Sequence, residues 1–153
     1  MKRKAELVAI KARNYFLAKK YKRATFFSTV LRVVFSCDLP AEVQFHESIQ
    51  LVHNGLGCVF HPKTVIAENC KIYQNVTIGG NGKIINGEII SGAPKLEKNV
   101  AVFAGACVLG PITIGHDSIV GANAVVTKNV PPHSLVIGNP AQVKELNFEY
   151  NFE

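Results

Sequence analysis

The stretch that decides the fold is residues 96–131, which read LEKNVA, VFAGAC, VLGPIT, IGHDSI, VGANAV and VTKNVP in successive groups of six. Each group opens with Leu, Val or Ile, and most carry Asn, Asp or Gly at the fourth position. A period of six matches neither the helical repeat of about 3.6 residues nor the alternation of one half-buried strand. It is typical of a short strand followed by a tight corner, because Asn, Asp and Gly tolerate positive φ.

The same period extends upstream of this stretch. An aliphatic residue or Phe recurs every six positions at Leu39, Phe45 and Leu51, and again at Phe60, Ile66, Ile72 and Ile78. Three such groups would close one triangular coil, whose inward aliphatic side chains stack about 4.8 Å apart. The alternative is a β-sandwich, which spaces its turns irregularly, about every 8 to 12 residues. The regular repeat therefore favours a parallel β-helix.

The segment before the repeats has a helical pattern. Residues 4–36 contain neither Pro nor Gly, and a break is expected between Lys19 and Arg23. Apolar residues fall three or four positions apart, at Tyr21, Ala24, Phe27, Leu31 and Phe35. Because the end of a solenoid must be covered, we expect this segment to cap the first coil.

The charge of the chain is unevenly distributed. The 153 residues carry a formal net charge of +6, but residues 1–36 hold ten Lys or Arg against one acid, Glu6, which leaves −3 for the remainder. We interpret the basic segment as the solvated face of the helices, with contact to an anionic membrane surface as the second interpretation. Nucleic-acid binding is disfavoured, because no aromatic or Gly-rich readout motif accompanies the charge.

Composition excludes several classes of protein. A hydrophobic content of 48% with 18% charged residues predicts a folded chain. The cysteines lack any C-x-x-C pair, so neither a zinc site nor a disulfide framework is predicted. Neither a secretory signal nor a membrane-spanning run is present. A cytoplasmic location is expected, with the inner face of the membrane as the alternative.

Two interruptions and a tail depart from the repeat, and such departures can carry function. The first interruption, residues 51–59 (LVHNGLGCV), adds three residues with glycines that permit a bulge, and it presents His53 at a coil edge. The second, residues 79–93, is a long loop that we expect to project outward. The tail carries Val130-Pro131-Pro132 and then Gly138-Asn139-Pro140-Ala141, and the prolines are expected to end the regular coil. The predicted domains are a helical segment (1–36), a β-helix (37–144) and a tail (145–153).

The order of these motifs resembles the hexapeptide-repeat acyltransferases, and among them the serine acetyltransferase branch. The hallmarks are an Asp soon followed by Pro, a bulge with His fifteen residues after that Asp, a Val-Thr-x-Gly-Gly motif, a long loop and a closing V-P-P and G-x-P-A. The chain supplies Asp38-Leu39-Pro40, His53, Val76-Thr77-Ile78-Gly79-Gly80 and the tail described above. The resemblance implies the handedness, which the period does not fix. The predicted fold is all-β, a left-handed parallel β-helix preceded by a short N-terminal α-helical segment.

The resemblance also implies a reaction and a site. It implies acetyl-CoA as co-substrate, an acetyl transfer to a hydroxyl without an acyl-enzyme, and a homotrimer with its sites between subunits. His53 would be the general base, because the ordinary pKa of His lies near neutrality, and Asp38 would hold its ring. No metal is expected. Among the other histidines, we expect His46, His61 and His116 to face solvent and His133 to line the CoA groove at most. The residues expected at CoA are Ala104, Ala122, Thr127, Lys128 and Gln142.

The sequence departs from the family pattern at the residues that would bind the acceptor. Serine acetyltransferases carry Arg and His at the end of the long loop, where these side chains meet the carboxylate of the amino acid, whereas this chain has Gly92-Ala93-Pro94-Lys95. Val52 also stands where relatives tend to carry Asp. Loss of the carboxylate clamp favours a sugar hydroxyl, such as one on a surface polysaccharide precursor, with serine as the alternative. A non-catalytic β-helix scaffold is the alternative from another class.

Overall fold

The computed structural model describes residues 2–89 and 92–152. The chain begins with two helices, α1 (Lys4–Leu17) and α2 (Tyr21–Phe35), which pack against each other. They are separated in the predicted region, where Lys19 adopts a φ of 57°. Within the described ranges, no helix has both the length and the apolar character needed to cross a membrane.

After the helices, the chain forms short strands that stack on one another. The strands are β1 (Gln44–Phe45), β2 (Gln50–Leu51), β3 (Val59–Phe60), β4 (Val65–Ile66), β5 (Lys71–Ile72), β6 (Thr77–Gly79), β7 (Ile84–Ile85), β8 (Glu88–Ile89), β9 (Lys95–Leu96), β10 (Ala101–Val102), β11 (Cys107–Leu109), β12 (Thr113–Ile114), β13 (Ile119–Val120), β14 (Val125–Val126), β15 (Ser134–Ile137) and β16 (Gln142–Glu145).

Three parallel sheets form the faces of the coil. The first sheet has the order β1-β4-β9-β12, the second β2-β5-β10-β13-β15, and the third β3-β6-β11-β14. We call the connections from the first to the second sheet the first corner, from the second to the third the second corner, and from the third to the first the third corner. This architecture confirms the predicted left-handed parallel β-helix with N-terminal helices.

Columns of aliphatic side chains hold the coils together. In the second sheet the register aligns Leu51, Ile72, Val102, Val120 and Val136 on successive coils. All five are buried. The six-residue period predicts the first four, whereas Val136 lies outside that phase because the last coil is shorter. Each such side chain contributes about 1.5–3 kcal/mol through burial, so the repeat itself supplies the core.

The corners use backbone conformations that Asn, Asp and Gly favour. Positive φ occurs at the first corner in Asn69, Asn99, Asp117 and His133, and at the second corner in Asn75, Gly105 and Asn123. The predicted role of the fourth position is therefore confirmed at both corners. Asn129, at the third corner, differs: it is absent from the positive-φ residues, and its Oδ1 accepts a hydrogen bond from the Thr113 amide at 2.9 Å.

The helices cover the first coil, as expected. Ala5 and Ala9 of α1 and Leu31 of α2 belong to the same buried cluster as Cys37 and Leu51 at the start of the β-helix. An uncovered first coil would expose this apolar column to water. The helices therefore complete the core.

The regular eighteen-residue coil ends at the prolines of the tail, as expected, but one shorter coil follows them. β15 still pairs in parallel with β13 after Pro131 and Pro132. Ala101 pairs with Ile119, eighteen residues on, whereas Ile119 pairs with Leu135, sixteen residues on. The last coil is thus two residues shorter than the one before it.

Two hairpins stand outside the repeat. The long loop contains β7 and β8, which pair antiparallel around Asn86-Gly87, where both residues have the positive φ of a tight turn. At the end of the chain, β16 pairs antiparallel with β15, and the tail then runs back so that the Tyr150 hydroxyl lies 3.2 Å from that of Tyr73.

Candidate active site

The bulge that carries His53 is a strained turn between β2 and β3. Val52–Gly55 forms a tight turn that is not a regular helix, because His53 has a φ of 55° and Asn54 a φ of 59°. A side chain other than Gly in this left-handed region costs about 1–2 kcal/mol. Strain of this kind concentrates at functional sites, where the surrounding structure must hold it in place.

The segment before the β-helix packs directly beneath this bulge. The Gly57 amide donates to the Ser36 carbonyl at 2.8 Å. Gly55 approaches Cys37 so closely that an added Cβ would lie 2.8 Å from the Cys37 Sγ, and its φ is 68°. Only Gly satisfies both conditions at this position.

Helix α1 fixes the start of the bulge through a buried carboxylate. Glu6, which is 3% exposed, accepts a hydrogen bond from the Leu51 amide at 2.8 Å and one from the Arg3 amide at 2.7 Å. The Arg3 guanidinium, 3.1 Å from Glu6, balances the charge. The Ala5 amide also donates to Oδ1 of Asn54 at 3.4 Å. The helix therefore positions the residues on both sides of His53.

Asp38 lies one coil before β3, on the third sheet. Its amide donates to the Cys58 carbonyl at 2.8 Å, and its carbonyl accepts from the Phe60 amide at 2.9 Å. Its carboxylate lies 2.7 Å from the Arg32 guanidinium, and both side chains line a cleft of about 260 Å³. His53 is exposed, and in the part of the chain that the structure describes its side chain has no hydrogen bond or ion pair. The pairing of Asp38 with His53 thus stays a prediction.

The residues predicted to bind CoA fall into two groups. The Gly105 amide donates to the Gln74 carbonyl, and the Asn123 amide to that of Ala104, so Gln74, Ala104 and Ala122 are stacked at the second corner. This is the corner that carries the His53 bulge. Thr127 and Lys128 are exposed at the third corner, and Gln142 is exposed on β16. The predicted CoA residues are therefore divided among the second corner, the third corner and β16.

An aromatic cluster that sequence reasoning did not identify lies beside the second corner. Tyr73 and Phe103 stack with ring centroids 4.6 Å apart, and Tyr150 of the tail packs on Phe103 at 5.8 Å. Burial raises the pKa of the Tyr150 hydroxyl, and its contact with Tyr73 adds to this effect. Tyr73 and Phe103 occupy the same place in groups of six on successive coils, which could have revealed them. The tail partner could not be deduced from the period.

Two of the remaining histidines, His61 and His116, are less exposed than expected. His46 is exposed and lies 2.7 Å from the Ser48 hydroxyl. His61 is half-buried, and its ring accepts a hydrogen bond from the Lys63 amide at 3.1 Å. His116 was expected to be simply solvated, but its Nδ1 lies 2.7 Å from Asp117, and its ring packs against His133. The short last coil brings these residues together.

Three cysteines are too deeply buried to act as nucleophiles. Burial raises the pKa of the Cys37 thiol to about 12, that of Cys58 to about 11 and that of Cys70 to about 12. All four cysteines, including the half-buried Cys107, are unpaired. Because the thiolate is the reactive form, the three buried thiols are unsuited to forming an acyl-enzyme.

Comparisons with known proteins agree with one another. A serine acetyltransferase from Staphylococcus xylosus is 36% identical over 132 residues, which cover 86% of this chain and 59% of that protein. The crystal structure of a serine acetyltransferase from Vibrio cholerae O1 biovar El Tor N16961 aligns with a TM-score of 0.80 and 30% identity, over 91% of this chain and 52% of the other. No family model matches the chain.

A solved serine acetyltransferase in complex with CoA is also similar. It aligns with a TM-score of 0.79 and 26% identity, covering 92% of this chain and 55% of the other. The chain thus spans little more than half the length of the relatives that it matches.

Proposed function

The chain belongs to the left-handed β-helix acyltransferases with hexapeptide repeats, on their serine acetyltransferase branch, and from this we propose that it transfers an acetyl group from acetyl-CoA to a hydroxyl. One observation carries the proposal: the strained His53 stands exposed on the bulge at the second corner, held from below by α1 and by the segment before the β-helix. Backbone strain at an exposed imidazole that the surrounding structure holds in place is typical of a functional site.

His53 would act as general base and then as general acid. Its neutral ring removes the hydroxyl proton as the acceptor oxygen attacks the thioester carbonyl, and the carbon–sulfur bond then breaks. The imidazolium returns that proton to the departing CoA sulfur, which leaves the acetyl ester and CoA as products. A base of this kind contributes about 10²- to 10⁴-fold to the rate.

Asp38 would orient the His53 ring after release from Arg32. The Arg32 side chain is 66% exposed and that of Asp38 is 35% exposed. Ion pairs this accessible to water contribute only about 0–1 kcal/mol. Rotation of the carboxylate towards the imidazolium that forms during the reaction therefore has a small cost.

We place CoA along the second corner, beside Ala104 and Ala122. Side chains this small leave the backbone of stacked coils open to the pantetheine arm. Thr127, Lys128 and Gln142 lie away from the second corner of the same chain, and we expect those of a second copy to complete the site. A homotrimer with its sites between subunits satisfies this expectation, and Lys128 would then supply positive charge for the phosphates of CoA.

Serine is the acceptor that the comparisons favour, since the similar proteins are serine acetyltransferases. They give no support to the sugar hydroxyl that was expected from the sequence. The observation behind that expectation nevertheless remains, because Gly92-Ala93-Pro94-Lys95 offers neither Arg nor His to a carboxylate. Serine is therefore the first candidate, and a sugar hydroxyl is the second.

The proposal is tested by following thiol release from acetyl-CoA with a panel of acceptors. L-serine should accelerate release well above the rate in buffer, whereas L-alanine, which has the same charged groups but no hydroxyl, should not. A response to sugars without a response to serine would reverse the order of the two candidates. A flat response to every hydroxyl compound would refute the proposed activity.

A further inference from the structure

Three metal-ligating side chains converge at the first corner, on the last coils. His116 and Asp117 lie between β12 and β13, and His133 directly precedes β15. The Nδ1 atom of His116 is 2.7 Å from Oδ2 of Asp117, and Nε2 of His133 is 3.9 Å from the same oxygen. One ligand atom from each residue lies within 4.8 Å of the other two. A single ion could therefore contact all three.

We propose that this cluster binds a divalent transition-metal ion of the Zn²⁺ type, independently of acetyl transfer. Zn²⁺ binds imidazole nitrogen and carboxylate oxygen at about 2.0–2.2 Å in tetrahedral geometry, which places ligand atoms roughly 3.3–3.6 Å apart. The distances of 2.7 Å and 3.9 Å lie on either side of this separation. Mg²⁺ and Ca²⁺ fit less well, because they require mostly oxygen ligands.

Neighbouring residues orient the ligands, as they do around known metal sites. The side-chain amide of Asn99 donates from Nδ2 to Oδ1 of Asp117 at 2.7 Å, which leaves Oδ2 directed to the imidazoles. The main-chain amide of His116 donates to Glu97 at 3.0 Å. These two hydrogen bonds fix the orientation of the Asp117 carboxylate and of the His116 main chain.

The site is fixed at its main chain and open at one side. Asp117 has a φ of 56° and His133 a φ of 54°, so both are set by the tight corners. The Asp117 side chain is 26% exposed, whereas that of His133 is 68% exposed. An ion can thus enter past His133, the most exposed of the three side chains.

The position of the cluster suggests what the ion would stabilise. It lies at a different corner from His53, and it joins the last coil to the one before it. The His133 carbonyl accepts a hydrogen bond from the Leu146 amide at 3.1 Å, which links the cluster to the hairpin of β15 and β16. A bound ion would therefore hold the end of the coil and the base of the tail.

The test is a calorimetric titration of the untagged, reduced full chain with Zn²⁺, with Mg²⁺ as the comparison. We expect one Zn²⁺ per chain. Asp117→Asn and His133→Asn should each weaken Zn²⁺ affinity by at least about tenfold. Asn suits the positive φ at both positions, so the corners should persist. His46→Asn, at the first corner of the first coil, is the matched control and should bind Zn²⁺ like the unmodified chain.

Circular dichroism melting without metal checks that each variant folds, and His116→Gln replaces any variant that does not. Absence of one-to-one Zn²⁺ binding would overturn the proposal, as would equal affinity in the cluster variants and the control. Loss of binding in Cys107→Ser alone would also overturn it, by assigning the ion to the half-buried thiol.

Discussion

Both the first and the second corner of the β-helix use residues with positive φ, but the histidines at the two corners have different surroundings. At the second corner, His53 stands in an insertion that leaves the six-residue register, and within the described ranges its side chain has no polar partner. At the first corner, His116 and His133 stay within the coils and meet Asp117. The insertion produces an isolated, strained base, whereas the stacked corner produces a network.

The difference shows two ways in which a repeat can acquire chemistry. Insertion frees a side chain from the stack but needs external support, here from Glu6 and the segment before the β-helix. Substitution at a corner needs no such support, since the positive φ already exists. It instead aligns polar groups on adjacent coils, about 4.8 Å apart.

The largest expected effect separates the two corners by activity. His53→Asn keeps a residue that tolerates positive φ but removes the base, so turnover with acetyl-CoA and serine should fall about 10²- to 10⁴-fold. The control is His46→Asn, which should retain turnover. Equal loss in both variants, or none in His53→Asn, would show that the bulge does not carry the base.

The next effect tests the support beneath the bulge. Glu6→Ala leaves the buried Leu51 amide without an acceptor, which should lower the free energy of unfolding by about 1–3 kcal/mol in urea titrations. Glu47→Ala removes an acid whose side chain is 56% exposed and paired with Arg13, and it should cost at most about 1 kcal/mol. If the two variants are equally stable, α1 does not hold the bulge as described.

The smallest effect concerns the pH dependence of the first corner. Burial alone would raise the pKa of the Asp117 carboxyl, but hydrogen bonds from Asn99 and His116 and the nearby imidazoles lower it in the folded chain. The contribution of Asp117 to stability is therefore present above the ordinary carboxyl range and is lost as pH falls through the folded pKa. Asp117→Asn should therefore lower the urea midpoint at about pH 7 without added metal. The difference from the unmodified chain should shrink as pH falls below the ordinary carboxyl range. A difference that is constant with pH would contradict this account.

The fold follows from the sequence far more completely than the site does. Hydrophobic period and corner residues are local signals, so the columns through Leu51 and Val120 and the bulge at His53 could be predicted. The ligand cluster could not, because a regular eighteen-residue coil would place residue 135 beneath Asp117. Pro131 and Pro132 lie in a sixteen-residue coil, which brings His133 there instead. The hydrogen bond from the Leu51 amide to Glu6 could not be predicted either, because a contact between a helix and the bulge leaves no periodic signal in the sequence.

The antiparallel strand β16 affects how the last edge of the second sheet can pair with another chain. A stack of parallel strands offers its last backbone edge to any identical chain, which is the first step of end-to-end fibre growth. Here that edge of the second sheet is occupied by an antiparallel segment that ends in Lys144 and Glu145. Another copy that approaches this edge of the second sheet therefore meets charged side chains and a strand of opposite direction.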